Sequence, residues 1–166
     1  MNTDEAVIVA LGGNLALEGQ AVQAVLELAA GRLSTAGLKP VRRSGWWRSA
    51  AWPDPTQPAY LNAVALVETT LEPQAVLEAL LEIETAFGRR RSVPNAPRTL
   101  DLDLIAYGRR IVEAPGLVLP HPRAADRLFV MGPLAEIAPD WTHPTTGETA
   151  ADLAARATVG TDAAPV

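Results

Sequence analysis

The stretch GRRRSVPNAPRTLDLDLIAYG, residues 88–108, decides the fold class of this chain and contains its strongest functional signal. Leucine and aspartate alternate over residues 100–104. Successive side chains of a β-strand point to opposite faces, so this alternation predicts a strand. Three leucines would occupy its buried face, and Asp101 and Asp103 would share the other.

The two aspartates have the spacing of a metal site. Two residues along a strand span about 6.6 Å, which suits two Mg²⁺ ions about 3.5–4 Å apart, bridged by carboxylates and phosphate oxygens. Arginines precede the strand and would bind the phosphates that such ions carry; they are Arg89, Arg90, Arg91 and Arg98. Alternating leucine and aspartate is also typical of an amphipathic strand with one solvated face, so these residues alone leave both interpretations open.

Composition favours a single globular domain. The chain has 166 residues, of which 48% are hydrophobic and 20% charged. It lacks an apolar run of membrane-spanning length, and residues 1–10 do not have the pattern of a signal peptide. We therefore expect one domain over residues 1–166, which acts as a monomer without a membrane partner. Its ordered core should cover about residues 5–157, with a disordered tail over 158–166.

Charge and cysteine content exclude several functions. The formal net charge of −5 argues against nucleic-acid binding. The absence of cysteine excludes disulfides, thiolate catalysis and a cysteine-based zinc site, and it is compatible with the cytoplasmic location that we expect. Every basic residue except Lys39 is an arginine, so phosphate recognition would use guanidinium groups.

Hydrophobic periodicity predicts the order β-α-β-β-α-β, an α+β fold with a ferredoxin-like core. Strands are predicted over residues 6–12, 38–49, 60–70 and 98–107. Helices are predicted over about 18–36 and from Pro73, at its favoured first position, to Gly88. A hairpin around Gly108, a helix over about 126–137, and a small C-terminal hairpin and helix would complete the domain.

The motifs together resemble the signature of 6-hydroxymethyl-7,8-dihydropterin pyrophosphokinases, which are enzymes of folate synthesis. The signature is matched by GRRR (88–91), APRTLDLDLI (96–105) and YG (107–108). Further matches are GGNL (12–15), TQPAYLNAV (56–64) and LPHPRAADRLFVMGPLAEIAPDW (119–141). Because they cover nearly the whole chain in the family's order, the resemblance is specific.

The resemblance implies transfer of a diphosphate from ATP to hydroxymethyl-dihydropterin, with AMP as the other product. Two Mg²⁺ ions, ligated by Asp101 and Asp103, would be the cofactors, and ATP and the pterin the partners. The implied catalytic residues are Arg89, Arg98, Asp101 and Asp103. The implied pterin-binding residues are Ser49, Trp52, Tyr60, Asn62 and Phe129. The implied ATP-binding residues are Glu84, Arg89, Arg91, Arg98, Leu104, His121 and Arg127.

Some of these residues also have local interpretations. Asn62 is unusual inside a strand, and its amide would suit the polar edge of a pterin. Without the resemblance, His121 and Phe129 would be interpreted as packing residues, and His143 is expected at the surface. This chain departs from the family pattern at three places. Asn95 is near the position where many members have an aromatic residue, Trp52 replaces a leucine and Pro122 replaces a tyrosine.

Three other functions fit the sequence less well. An RNA-recognition module would have a basic surface, which this acidic chain lacks. A P-loop kinase requires G-x-x-x-x-G-K-[ST], which does not occur. A purely structural domain, in which the aspartate pair is only solvated, would not bind ATP in a Mg²⁺-dependent way.

Overall fold

The computed structural model describes residues 2–14, 21–50, 56, 58–88 and 100–166. These residues form a mixed α/β fold. Its strands are β1 (Val7–Gly13), β2 (Lys39–Arg43), β3 (Trp47–Ser49), β4 (Tyr60–Glu68), β5 (Asp101–Tyr107), β6 (Val112–Ala114), β7 (Leu117–Leu119) and β8 (Ala164–Pro165). Its α-helices are α1 (Val22–Thr35), α2 (Pro73–Ala86), α3 (Leu128–Ile137) and α4 (Ala150–Arg156). Short 3₁₀ helices cover Thr3–Glu5 and Ala124–Asp126.

One antiparallel sheet organises the fold. Its strand order is β5-β1-β4-β3-β8, and β2 also pairs with β4. The central strand β1 is buried along its whole length, as its continuous apolar sequence predicts. Among the residues that the structure describes, strand β5 pairs with β1 alone and therefore lies at an edge of the sheet. Within the same residues, the hairpin β6-β7 forms a separate two-stranded sheet.

Each face of the sheet is covered by helices. Helices α1 and α2 pack on one face, where Leu102 and Leu104 of β5 are buried in the larger hydrophobic core. Helices α3 and α4 pack on the other face in a second core, which contains the fully buried Trp141. The buried position of the β5 leucines confirms the prediction made from the alternation at residues 100–104.

The predicted strand at 38–49 is interrupted. It forms β2 and β3, and the chain leaves the β4 ladder between them. The Ser44 hydroxyl accepts the Val64 N–H at 3.0 Å, and the Gly45 N–H donates to the Glu136 carboxylate at 2.6 Å. Two backbone N–H groups at the break thus donate to side chains, one to Ser44 within the break and one to Glu136 of α3, which periodicity alone does not predict.

Two other expectations were wrong. The hairpin lies between β6 and β7 and turns at Gly116, whose φ is 77°, rather than around Gly108. Gly108 instead ends β5, where its N–H donates to the Ala6 carbonyl at 3.0 Å. The tail expected to be disordered pairs with β3 through β8. The tail is ordered because it pairs with the edge of β3. Its own small and polar residues do not predict this pairing.

The remaining elements agree with the sequence. Strands β1 and β4 and helices α2 and α3 occur at their predicted places, as does helix α1 within the residues that the structure describes. A bridge between Thr142 and Thr149 and helix α4 form the C-terminal hairpin and helix. None of the helices described is long and apolar enough to cross a bilayer.

His143 is half-buried rather than at the surface, and its surroundings favour the neutral ring. Its Nδ1 accepts the N–H groups of Thr145 and Thr146 at 3.2 and 3.3 Å, and its ring meets Trp141 edge-on. Burial, helped by Arg109 and opposed by Glu148, lowers the pKa of His143 below its ordinary 6.5.

Because the folded-state pKa of His143 is depressed, the unfolded chain binds the proton more readily. Stability is therefore lost as pH falls below about 6.5. His143→Asn keeps an acceptor near the Nδ1 position and does not titrate. We expect wild type to lose stability relative to this variant between about pH 7.5 and pH 5, measured by urea unfolding. A constant difference across that range would contradict the assignment.

Candidate active site

A cleft of about 800 Å³ opens where the ends of β1, β4 and β5 meet. It lies on the sheet face covered by α3, because Phe129 and Val130 of that helix form part of its wall. Seven residues singled out from the sequence line it: Ser49, Tyr60, Asn62, Asp101, Asp103, Arg127 and Phe129. The volume and the mixed apolar and polar lining suit a small-molecule site.

Gly12 separates the two polar groups that matter most in this cleft. It pairs with Asn62 of β4 on one side and with Asp101 of β5 on the other, so all three lie on one face. A Cβ at Gly12 would lie 3.1 Å from Asn62 Oδ1 and 3.6 Å from the Leu61 carbonyl oxygen. The glycine therefore keeps space open between an amide and a carboxylate.

Ser49 fixes the Asn62 amide. Asn62 Nδ2 donates to Ser49 Oγ at 3.0 Å, and both residues are buried, at 6% and 4% exposure. Tyr60 pairs with Ser49 across the β3–β4 ladder, on the same face. A buried amide held by a buried hydroxyl presents a fixed hydrogen-bonding edge to the cleft.

Asp101 and Asp103 bring two half-buried carboxylates to the cleft wall. They share one face of β5, opposite the buried leucines. In the described part of the chain, no group of three or more His, Cys, Asp or Glu residues could hold a metal ion. Mg²⁺ is commonly bound by one or two carboxylates together with phosphate oxygens and waters, so this donor set fits Mg²⁺ that arrives with a polyphosphate.

Glu84 supports the strand that carries these aspartates. This α2 residue is 1% exposed, and its Oε2 accepts the Leu102 N–H at 2.7 Å. Leu102 stands between Asp101 and Asp103 on the edge strand, where its N–H would otherwise lack a strand partner. Glu84 was expected near the nucleotide, whereas this contact is to the β5 backbone.

The role of Glu84 is tested by two substitutions. Glu84→Ala leaves a buried N–H without its acceptor, and we expect it to destabilise the fold by about 1–3 kcal/mol and to lower turnover. Glu84→Gln retains an acceptor oxygen and should cost less on both measures. Urea unfolding and steady-state turnover provide the comparison. If both variants were as stable as wild type but lost ATP affinity equally, the carboxylate would be a nucleotide contact instead.

His121 lies beside the aspartates and two arginines. The backbone N–H of His121 donates to the Ile105 carbonyl at 2.8 Å, and its ring Nδ1 accepts the backbone N–H of Arg123 at 3.2 Å. Burial lowers the pKa of His121, as do Arg127 and Arg123, while Asp101 acts in the opposite direction. The ring is therefore neutral at pH 7, and the use of Nδ1 as an acceptor leaves Nε2–H as a donor.

Arg127 and Phe129 form the opposite part of the cleft. The Arg127 guanidinium carbon lies 5.7 Å from the centre of the Phe129 ring. Phe129 is half-buried and packs against the α3 core while it lines the cleft. An aromatic ring in this position offers a surface for a flat heterocycle.

The structure does not bring every predicted residue to the cleft. The Leu104 side chain is buried in the core under α1 and α2. Trp52, Arg89, Arg91 and Arg98 lie outside the described residues. Sequence reasoning missed Arg123, Asp126 and residues 158–160, which line the cleft. For residues 158–160, the one feature visible in the sequence is Gly160, a glycine within the tail that was expected to be disordered.

The antiparallel sheet with helices on both faces and the cleft at the strand ends define a mixed α and β protein whose cleft suits a small molecule. Residues 8–139 match the family model described as 7,8-dihydro-6-hydroxymethylpterin-pyrophosphokinase (HPPK). Because this match covers most of the chain, the protein belongs to the HPPK family.

Relatives agree with this assignment, and a solved structure has a similar fold. A Synechocystis protein named 2-amino-4-hydroxy-6-hydroxymethyldihydropteridine pyrophosphokinase is 46% identical over 88% of this chain and 73% of its own length. A Pseudomonas aeruginosa protein of the same name is 41% identical over 83% of both chains. The crystal structure of Plasmodium falciparum wild-type HPPK-DHPS has a similar fold, with a TM-score of 0.70 at 12% identity. That alignment covers 90% of this chain but only 44% of the parasite chain.

Proposed function

We propose that this protein transfers an intact diphosphate from ATP to 6-hydroxymethyl-7,8-dihydropterin, as a step of folate biosynthesis. The hydroxymethyl oxygen attacks the β-phosphorus, the bond from that phosphorus to the α,β-bridging oxygen breaks, and AMP leaves. Family membership supports the reaction. The observation that carries it is the placement of Asn62 and Asp101 on either side of Gly12 in one cleft.

The part of the site that binds the pterin, which is the acceptor of the diphosphate, would be formed by Asn62, Ser49, Tyr60 and Phe129. The amide that Ser49 orients has the donors and the acceptor to pair with the amide and amino edge of a pterin. Phe129 offers its ring for stacking. Trp52 belongs to this set as a prediction from the sequence. Holding the flat ring at two edges would fix the direction of the hydroxymethyl oxygen.

The part of the site that binds the phosphates of ATP would be formed on β5. Asp101 and Asp103 would hold two Mg²⁺ ions together with phosphate oxygens. When bound, such ions neutralise charge on the polyphosphate. Glu84 keeps the strand in place through the Leu102 N–H. No side chain has to act as a covalent nucleophile, because the acceptor hydroxyl attacks phosphorus directly.

The nucleotide would be bound by cationic and neutral donors. Arg127 lines the cleft, and His121, which lies near Arg127 and Asp101, would donate through its Nε2–H. Arg89, Arg91 and Arg98 remain predictions, as phosphate ligands that strengthen their contacts in the transition state. A contact from Leu104 to the nucleotide would have to use its backbone, since its side chain belongs to the core.

We further propose a ferredoxin-like core, one domain over residues 1–166, action as a monomer and a cytoplasmic location, without nucleic-acid or membrane partners. The order β5-β1-β4, with β2 and β3 beyond β4, supports the ferredoxin-like description, because it corresponds to the strand arrangement of a split β-α-β fold.

The reaction is tested by its nucleotide product. The protein is incubated with Mg²⁺, ATP and hydroxymethyl-dihydropterin, and nucleotides and pterins are separated by anion exchange. We expect AMP and pterin diphosphate in equal amounts. A reaction without the pterin controls for ATP hydrolysis. Formation of ADP and pterin monophosphate would contradict diphosphate transfer.

A further inference from the structure

The segment after α4, residues 158–166, runs across the cleft as an ordered strap. We use this name, the C-terminal strap, for these residues. At its start, the Thr158 N–H and hydroxyl donate to the two carboxylate oxygens of Asp126 at 2.9 and 2.6 Å. The Val159 N–H donates to the Asp126 carbonyl at 3.0 Å, and the Leu128 N–H donates to the Val159 carbonyl at 2.9 Å. The strap is thereby fixed to the start of α3, one residue from Phe129.

The other end of the strap is fixed to β3. Ala164 and Pro165 form β8 against Arg48 and Trp47, and the Val166 N–H donates to the Trp46 carbonyl at 3.0 Å. Between these anchors, the Asp162 Oδ2 accepts the Ala50 N–H at 2.7 Å. Ala50 follows Ser49 directly and lines the cleft with it.

The middle of the strap contacts the Phe129 ring. A Cβ placed on Gly160 would lie 2.5 Å from Phe129 Cδ1 and 2.9 Å from Cε1, closer than atoms can approach. Gly160 also has a φ of 67°, which disfavours any residue with a side chain. Thr158, Val159 and Gly160 themselves line the cleft. The Phe129 ring therefore rests against backbone.

We propose that the C-terminal strap positions the acceptor pocket, with Asp162 and Gly160 as its positioning residues. It joins the wall that carries Phe129 to the wall that carries Ser49 and Ala50, so it sets the spacing between the aromatic ring and the chain after β3. This inference rests on the proposed assignment of those walls to the pterin. The two aspartates are on β5, separated from β3 by β1 and β4. Asp162 lies at the β3 end of the strap, next to Ala50. Loss of its contact should therefore weaken binding of the pterin more than binding of the nucleotide.

The test compares substitutions at two exposed aspartates and at Gly160. Asp162→Ala removes the acceptor for the Ala50 N–H, and Asp162→Asn keeps an acceptor oxygen without the charge. Asp140→Ala, in the exposed turn after α3, is the control. Calorimetry measures Kd for hydroxymethyl-dihydropterin in the presence of a non-hydrolysable ATP analogue, and Kd for that analogue alone. Thermal unfolding of each variant reports on the fold.

We expect Asp162→Ala to raise the pterin Kd by about 2- to 10-fold, the value of one hydrogen bond, and to leave the analogue Kd unchanged. Asp162→Asn should restore most of the affinity, and Asp140→Ala should behave as wild type. Gly160→Ala should raise the pterin Kd by more than about 10-fold, since the ring or the strap must move. The proposal is overturned if Asp162→Ala binds the pterin as wild type does, or if both ligands lose affinity equally.

The same titrations separate this proposal from the site assignment on which it rests. Asn62→Ala reports on the pterin site without a contact to the strap. If Asn62→Ala weakens pterin binding and Asp162→Ala does not, the strap proposal alone fails. If neither the Asn62 nor the Asp162 variant changes the pterin Kd, both the site assignment and the strap proposal fail.

Discussion

Replacing Asp101 or Asp103 with asparagine is expected to lower turnover by more than about 10²-fold at saturating Mg²⁺, or about 2.7 kcal/mol of transition-state stabilisation. Asparagine keeps the size of the side chain but removes the charge that holds a divalent cation. Both residues are half-buried on the cleft face of β5, and their neighbours on the other face form the core. The strand should therefore keep its packing when one carboxylate becomes an amide.

The measurement is the rate of AMP formation as a function of Mg²⁺ concentration. Thermal unfolding should show that both variants remain folded, because the substitution removes repulsion between two neighbouring carboxylates. Glu113→Gln, in the exposed strand β6, provides a matched control for loss of one negative charge. Turnover close to wild type in either aspartate variant would refute the metal assignment.

Removal of the side chains that would bind the pterin should weaken binding of the pterin but not of ATP. We expect Phe129→Ala to weaken pterin binding by about 1–3 kcal/mol through lost stacking. Asn62→Ala should cost a comparable amount, since the polar edge of the pterin and the Ser49 hydroxyl both lose a partner. ATP affinity should change little in either variant.

Matched variants separate stacking from packing. Phe129→Tyr keeps an aromatic ring against Gly160 and should retain most of the pterin affinity, whereas Phe129→Leu keeps apolar volume but not the ring. Calorimetric titrations with pterin and with an ATP analogue give the two affinities. Equal losses for both ligands, or full affinity in Phe129→Leu, would show that Phe129 serves the α3 core rather than the pterin.

Local sequence patterns predicted most of the sheet, because its buried strands have strong periodicity. The apolar run before Gly12 and the alternation at Asp101 and Asp103 depend only on which side of a strand is buried. The break between β2 and β3 depends on Glu136, a residue far along the chain. The order of the tail depends on the free edge of β3. Such long-range partners leave no local pattern in the sequence.

The same distinction applies to the site. Asn62 is visible in the sequence as a polar residue in an apolar strand, and Ser49 becomes its partner through the strand register. Asp126 is not visible in this way, and Gly160 is visible only as a glycine in a tail that was expected to be disordered. Each acquires its role from a contact with a residue about 30 positions away along the chain. Glu84 was noticed for its charge, but its contact with the Leu102 N–H follows from how α2 packs on the edge strand.

The most direct test of the central claim is to count the metal ions that the aspartates hold. Mn²⁺ replaces Mg²⁺, and electron paramagnetic resonance measures free Mn²⁺ while protein saturated with a non-hydrolysable ATP analogue and pterin is titrated. If Asp101 and Asp103 hold two ions with the phosphates, wild type should bind two Mn²⁺ per chain, and Asp101→Asn and Asp103→Asn should each bind fewer or bind them more weakly. The same number of ions at the same affinity in wild type and in both variants would contradict the claim.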